Sequence, residues 1–88
     1  MESYEIQWKG SAERDLRKID PQQVSRIIKA IESLVDNPFP PQCHKLRGVE
    51  RVFWIRVGDY RVIYQVDTKT KVVIIYHIRH RREAYRKW

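Results

Sequence analysis

Apolar side chains recur at helical spacing in the segment that follows Asp20 and Pro21. The apolar positions of this segment are Val24, Ile27, Ile28, Ile31, Leu34 and Val35. They would form one face of an amphipathic helix. Asp20 can accept hydrogen bonds from first-turn amides, Pro21 suits the first helical position, and Gln23 completes a capping box. We predict a helix from Pro21 that stops at Asn37-Pro38, because the residue before proline disfavours helical geometry.

A strand and a shorter helix are predicted ahead of this one. Residues 3–8 alternate polar and apolar side chains, which is typical of a strand. Gly10 ends the strand and opens a short helix with Ala12, Leu16 and Ile19 on one face. The first 37 residues are therefore predicted to form a strand followed by two helices.

The second half of the chain changes from a helical period to a period of about two residues. Three strands are predicted there, over Val52–Val57, Tyr60–Asp67 and Lys71–Ile78. Gly58-Asp59 joins the first two as a hairpin with Gly at the first turn position, as a type II′ turn requires. The pattern β-α-α-β-β-β predicts an α+β fold, an antiparallel sheet with two N-terminal helices packed on one face. A short helical turn is expected between His80 and Trp88.

Alternation along these strands assigns their side chains to two faces of the sheet. The face toward the helices is predicted to hold Phe53, Ile55, Val57, Tyr60, Val62, Tyr64, Val66, Val72, Ile74, Tyr76 and Ile78. The opposite, outer face is predicted to hold Trp54, Arg56, Arg61, Ile63, Gln65, Val73, Ile75, His77, Arg79 and, if alternation continues, Arg81. A one-residue slip would bury the arginines, which is unfavourable without partners.

The charge of the chain is concentrated in its second half. The 88 residues carry a formal net charge of +7 at pH 7. Residues 1–44 hold six Lys or Arg and seven Asp or Glu, whereas residues 45–88 hold twelve and four. This asymmetry favours a polyanionic partner on one part of the molecule. The outer face, which carries these arginines around Trp54 and His77, could hold phosphates and stack a nucleobase. The alternative is that the arginines form ordinary surface ion pairs with the few nearby acidic side chains.

Length and composition narrow the class of protein further. The length predicts a single domain over residues 1–88. No stretch approaches the ~20 apolar residues of a membrane span, and we expect no signal peptide. The single cysteine, Cys43, excludes an internal disulfide and a cysteine-rich zinc site. We therefore expect a cytoplasmic protein with no membrane contact, no metal and no other cofactor.

Three segments of the chain resemble motifs of the RelE/ParE toxin superfamily. The sequence His44-Lys45-Leu46-Arg47-Gly48 resembles its "KLRG" segment. The hairpin from Gly58 to Val66 resembles its "GxYRxxYxV" pattern, and the segment from Ile78 to Tyr85 resembles its "xxHRREVY" pattern. The order and spacing of the motifs agree over essentially the whole chain, and the RelE branch matches best. That resemblance implies a small α+β toxin domain.

The resemblance to the RelE branch also implies an activity and a set of functional residues. RelE toxins cleave mRNA in the ribosomal A site, without metal, through attack of a ribose 2′-hydroxyl on the adjacent phosphate. Arg61 matches the hairpin arginine at the scissile phosphate, Arg81 the arginine of the C-terminal motif, and Tyr85 the C-terminal tyrosine. The positions implied to hold RNA are Lys45, Arg47, Trp54, His77, Arg79 and Arg82. Arg56 falls where RelE toxins often have a lysine, and Trp54 replaces a second lysine.

Several residues are candidates for the proton-transfer groups. Arginine is a poor base, since its pKa lies above ~12. Tyr85 could serve as the general base if surrounding cations lower its pKa. It could instead stack on a nucleobase. His77 and His80 are the other acid–base candidates. His77 could instead make a structural hydrogen bond, and His80 has the strand parity opposite to Arg81.

The resemblance also implies partners, and it leaves two alternative functions. Partners would be the ribosome with its mRNA and an acidic, RelB-like antitoxin that forms a hetero-oligomer with the toxin. One alternative is a ParE-like inhibitor of DNA gyrase without nuclease activity. The other is a small RNA-binding protein without catalysis. Chains of the ParE branch usually lack the combination of C-terminal arginines and tyrosine that is present here as Arg81, Arg82 and Tyr85.

Overall fold

The computed structural model describes residues 3–82. Its elements are β1 (Glu5–Trp8), α1 (Gly10–Arg17), α2 (Pro21–Ser33), β2 (His44–Lys45), β3 (Val52–Val57), β4 (Tyr60–Asp67) and β5 (Val72–His80). The five strands form one sheet in the order β1-β5-β4-β3-β2. β1 runs parallel to β5, and the other neighbouring pairs are antiparallel. The predicted α+β fold is confirmed, with the sheet mixed rather than wholly antiparallel.

Two further features differ from the sequence prediction. The short strand β2 was not predicted, and it forms the edge of the sheet beside β3. β5 extends through His80, two residues beyond its predicted end. The expected helical turn after His80 falls mostly on residues 83–88, which lie outside the described part of the chain.

The start of α2 confirms the predicted roles of Asp20 and Pro21. The backbone amide of Gln22 donates to the Asp20 carboxylate at 2.9 Å, and Pro21 occupies the first turn. The helix ends at Ser33, before the predicted stop, and a turn leads to Asn37, whose side-chain oxygen accepts from the Phe39 amide. Local capping therefore set the beginning of the helix more sharply than its end.

The core lies between the two helices and one face of the sheet. Its fully or nearly fully buried members are Tyr4, Ala12, Ile19, Ile27, Ile31, Leu34, Ile55, Val62, Tyr64, Val66, Val73, Ile75 and Ile78. Burial of such aliphatic and aromatic side chains is the main stabilising contribution to a domain of this size. The prediction that both helices pack on the same face is confirmed.

The predicted facing of β5 is wrong over its first half. Val73 and Ile75, assigned to the outer face, are fully buried in the core. Val72, Ile74 and Tyr76, assigned to the core, are only half-buried. The Tyr76 hydroxyl donates to the side-chain oxygen of Gln65, which lies on the outer face of β4.

A β-bulge at Tyr76 is the physical reason for this error. Ile63 pairs with His77, whereas its neighbour Tyr64 pairs with Ile75, so β5 carries one extra residue at this point. A bulge of this kind shifts the alternation by one position. Ile78 then faces the core, while His77 and Arg79 face outward, as predicted. Ile63 also lies on the outer face as predicted, although it is 4% exposed.

Helix α1 closes the edge of β5 that β1 leaves open. The Ser11 hydroxyl donates to the carbonyl of Tyr76 at 2.6 Å, and the Asp15 carboxylate accepts from the amide of Ile78 at 3.0 Å. These bonds satisfy backbone groups that an edge strand would otherwise expose. Across residues 3–82, no helix has the length and apolar character needed to cross a membrane.

Candidate active site

Three arginines lie side by side in one row across the outer face of the sheet. Arg56 of β3 is directly opposite Arg61 of β4, which is directly opposite Arg79 of β5. Like charges at directly opposed positions destabilise a sheet. A row of this kind is therefore unfavourable for folding alone, and a bound anion would relieve the repulsion.

Next to this row, a small cavity gathers four arginines from two segments of the chain. It has a volume of about 330 Å³. Its lining residues are Arg56, Asp59, Tyr60, Arg61, Arg81 and Arg82. We call it the arginine cavity. With four guanidinium groups and one carboxylate in its wall, it suits a phosphate, because guanidinium matches phosphate oxygens in a bidentate manner and stays charged.

The β3–β4 turn holds the two halves of the arginine cavity together. Gly58 has a positive φ of 60° at the first turn position, which glycine adopts without strain. The Arg56 Nε donates to the Gly58 carbonyl at 3.0 Å. The backbone amide of Arg81 donates to the Asp59 carbonyl at 2.7 Å. The type II′ hairpin thus places Arg56 and Arg61 and also fixes where the chain leaves β5 with Arg81.

Trp54 stands on the outer face between an imidazole and a guanidinium. The His44 ring is stacked on it, with centroids 4.3 Å apart and planes 20° apart. The Arg61 guanidinium carbon lies 4.3 Å from the centroid of the Trp54 ring. Since His44 is on β2 and Arg61 is on β4, the two groups approach Trp54 from strands on either side of its own. We call this arrangement the His–Trp–Arg column.

A carboxylate from α1 reaches the two remaining basic groups of the outer face. The Asp15 carboxylate lies 3.3 Å from Nδ1 of His77 and 4.0 Å from a guanidinium nitrogen of Arg79. The same carboxylate also binds the backbone amide of Ile78. His77 and Arg79 therefore face a helix-borne acid, while Arg56 and Arg61 face the arginine cavity.

His80 contacts two residues that line the arginine cavity, Tyr60 and Arg82. Its ring contacts Tyr60 edge-on, with centroids 5.3 Å apart. Its Nδ1 accepts from the backbone amide of Arg82 at 3.2 Å. This bond orients the turn that carries Arg82 into the cavity wall.

The structure does not bring every predicted residue into the arginine cavity. Lys45 and Arg47 line a different cavity of about 260 Å³ in the loop between β2 and β3. Lys45 pairs with Phe53, so it has the opposite facing to His44 and Trp54. Tyr85 lies outside the described residues.

Two contributors to the site were missed by the sequence reasoning, Asp15 and His44. Asp15 meets β5 across more than 60 positions of sequence, and no local pattern signals that contact. His44 directly precedes the "KLRG"-like segment, but a strand of two residues is too short to show alternation. Pairing of His44 with Trp54 would have placed both on one face.

A larger cavity lies elsewhere in the described part of the chain. It is a groove of about 870 Å³ lined mainly by apolar side chains of β1, α1 and α2. Its charged lining residues are Glu13, Arg17 and Glu32. Because only one of these residues is a cation, the smaller arginine cavity is the better candidate for chemistry on an anion.

Comparison with known proteins identifies the family of the chain. Residues 6–85 match the family described as the ParE toxin of type II toxin-antitoxin systems, parDE. The chain belongs to the RelE/ParE toxin superfamily. The toxin is 32% identical over 76 residues to a protein of Methanocaldococcus jannaschii named RelE1, with 83% of this chain and 84% of that protein covered. It is 28% identical over 85 residues to toxin RelG of Mycobacterium tuberculosis, which covers 96% of this chain and 98% of RelG.

A solved structure gives the same result for the fold of the toxin. The RelE–RelB complex of the archaeon Pyrococcus horikoshii OT3 matches with a TM-score of 0.80 at 27% identity. The match covers 90% of this chain and 96% of that one. The resemblance read from the three sequence motifs is confirmed at the level of the superfamily.

Proposed function

We propose that this toxin is an endoribonuclease that cleaves mRNA in the ribosomal A site. In this proposal the 2′-hydroxyl of one nucleotide attacks the adjacent phosphate, and no metal ion takes part. The observation that supports it is the arginine cavity, where Arg56, Arg61, Arg81 and Arg82 meet in a space of about 330 Å³. That volume lies at the lower end of ligand pockets, as expected for a phosphate group with part of its ribose.

The arginines would stabilise the negative charge that develops during cleavage. Attack by the 2′-hydroxyl creates a phosphorane with an additional charge on its oxygens, and fixed cations lower the energy of that state. Arg61 comes from the hairpin and Arg81 from the end of β5, so two guanidinium groups would bind the phosphorane from different segments. The Arg81 backbone bond to Asp59 keeps that geometry in place before substrate arrives.

The reaction also needs a group that takes a proton and a group that gives one. We assign these roles to Tyr85, His77 and His80 as candidates. His77 is held by Asp15 through Nδ1, and Nδ1 of His80 accepts from the Arg82 amide. Both rings are thus held in place through Nδ1. If Tyr85 acts as the base, nearby cations would favour its phenolate form.

Primer extension on mRNA in a purified translation system tests the proposal. Wild-type toxin is expected to produce new mRNA ends within codons, and only when ribosomes are present. Arg61→Ala and Arg81→Ala are each expected to lower the cleavage rate about 10²–10³-fold, because each removes one phosphate-stabilising donor. Arg14→Ala is the matched control, since Arg14 is an exposed arginine of α1 and should leave the rate unchanged. Full cleavage by a folded Arg81→Ala protein would refute this mechanism.

A second candidate function follows from the family match, whose description names the ParE toxins. A ParE-like toxin would inhibit DNA gyrase without cleaving RNA. Intact mRNA in the translation assay, together with stabilised gyrase–DNA breaks in a cleavage-complex assay, would establish that function instead. If the mRNA stays intact and gyrase is unaffected, RNA binding without catalysis is the function that remains.

We also propose that an acidic, RelB-like antitoxin neutralises the toxin. The solved Pyrococcus horikoshii relative is described as a RelE–RelB complex, and the outer face here is strongly basic. An acidic segment that covers this face would block the arginine cavity and relieve repulsion in the arginine row. The neighbouring reading frame is expected to encode a small acidic protein that co-purifies with the toxin and restores growth. Co-purification that survives Arg56→Gln and Arg82→Gln without loss of affinity would argue against the basic face.

A further inference from the structure

The His–Trp–Arg column ends at the edge of the sheet. β2 is the last strand in the sheet order, and His44 belongs to it. One ring face of His44 is stacked on Trp54, and the side chain is nevertheless exposed. The other ring face therefore points away from the sheet and toward solvent. An aromatic ring with one face supported and the other exposed is the geometry of a stacking platform.

The inner end of the column lies at the phosphate site. Arg61 contacts Trp54 and also lines the arginine cavity, so the platform and the cavity are joined through a single tryptophan ring. A nucleobase on His44 would extend a continuous stack of base, imidazole, indole and guanidinium. Trp54 already has the imidazole of His44 stacked on its ring and the guanidinium of Arg61 over it, so His44 is the ring that lies at the sheet edge.

We propose that His44 is a base-stacking residue that binds one nucleobase of single-stranded RNA while the arginine cavity binds a phosphate of the same strand. The proposal rests on the proposed ribonuclease function, since it assumes that the ligand is RNA. Stacking on an aromatic ring tolerates any base, because every base has a π-face. His44 would therefore add affinity and set the register of the RNA without reading its sequence.

The test compares His44→Ala with His44→Phe in the ribosome-programmed cleavage assay. His44→Ala is expected to raise KM about 5- to 100-fold, as loss of one stacked base does, and to leave kcat nearly unchanged. His44→Phe keeps a flat ring and should retain a KM within about 3-fold of wild type. The thermal midpoint and near-ultraviolet circular dichroism of each variant establish that it is folded.

Abasic nucleotides placed one at a time in and around the A-site codon make the test specific. At one position, removal of the base is expected to raise KM for wild type but to have no further effect on His44→Ala. If His44→Ala lowers kcat and no abasic position affects wild type alone, His44 only supports Trp54 and the proposal is overturned. Equal abasic effects in both proteins would also overturn it while ribonuclease function stands. If wild type cleaves no RNA, both proposals fail.

Discussion

Arg61 is the residue on which the contacts of the outer face converge. It has an arginine directly opposite on each side, Arg56 and Arg79, and it also contacts Trp54. The indole face offers the guanidinium an attractive partner, which offsets part of the repulsion from its neighbours. The Asp15 carboxylate near Arg79 offsets a further part, and a bound anion would reduce the repulsion more.

Arg56→Gln should stabilise the folded toxin at low ionic strength. Arg56 is exposed and faces Arg61, and glutamine can still donate to the Gly58 carbonyl. The expected gain in the free energy of unfolding is about 0.2–1 kcal/mol. Urea unfolding at low and high salt measures it, and the gain should shrink at high salt because salt screens the repulsion.

Arg14→Gln provides the control for that experiment, because it removes the same charge from an exposed position of α1. A gain as large in Arg14→Gln would mean that net charge, and not the arginine row, limits stability.

The elements of the fold differ in how well local sequence determines them. α2 was predictable because a carboxylate cap, a proline and a helical apolar period all act within the segment. The bulge in β5 was not, because Val72, Val73, Ile74 and Ile75 are all apolar and fit either face. Its position is set by pairing with β4 and by the bond from Ser11 of α1 to Tyr76. Arg56 and Arg61 were predictable because their facing on β3 and β4 follows simple alternation. The contacts of Asp15 with His77 and Arg79 of β5 arise only through the tertiary fold.

Tyr64 shows how an interior strand position is tied to the loop before β2. Its hydroxyl donates to the carbonyl of Pro38 at 2.7 Å, and the side chain is fully buried. Burial, with a smaller contribution from the Cys43 thiol, raises the pKa of Tyr64 above its ordinary value of about 10. The hydroxyl therefore stays protonated in the folded toxin over the whole neutral range.

Tyr64→Phe should lower the free energy of unfolding by about 0.5–1.5 kcal/mol at neutral pH, since it leaves the Pro38 carbonyl without this donor. A group whose pKa is raised by folding stabilises the folded state below its unfolded pKa and loses that contribution as pH rises. The difference from wild type should therefore shrink once pH exceeds about 10, where the unfolded phenol ionises. Urea titrations across that range, with Tyr76→Phe as the control phenol, measure it. A difference that grows with pH would contradict the assignment.

At the scale of the whole molecule, the sheet separates two kinds of surface. The helices cover one face and bury the core, while the other face carries the arginine row and borders the arginine cavity. Five arginines of the second half of the chain thus contribute to one basic surface, namely Arg56, Arg61, Arg79, Arg81 and Arg82. Binding of any single-stranded polyanion to this surface should release counterions and depend strongly on salt.

Affinity for a short single-stranded RNA should therefore fall steeply as salt increases. Each arginine of the cavity replaced by glutamine is expected to reduce the slope of log K against log salt by about 0.7. Fluorescence anisotropy of a labelled oligouridine, measured for wild type and for Arg56→Gln and Arg82→Gln, gives these slopes. Arg14→Gln should leave the slope nearly unchanged. Identical slopes for the cavity variants and wild type would mean that RNA phosphates bind elsewhere.

The arginine row has a consequence for the evolution of such a toxin. A substitution of Arg56 or Arg61 relieves repulsion in the sheet and, on the proposed function, impairs phosphate binding at the same time. For most proteins, loss of function accompanies loss of stability, and unstable products are degraded. Here inactive variants would accumulate as well-folded proteins that still resemble the toxin in shape. Such variants would compete with the active toxin for the antitoxin. An inactivated copy of the gene would therefore raise the amount of antitoxin needed to neutralise the toxin from an intact copy.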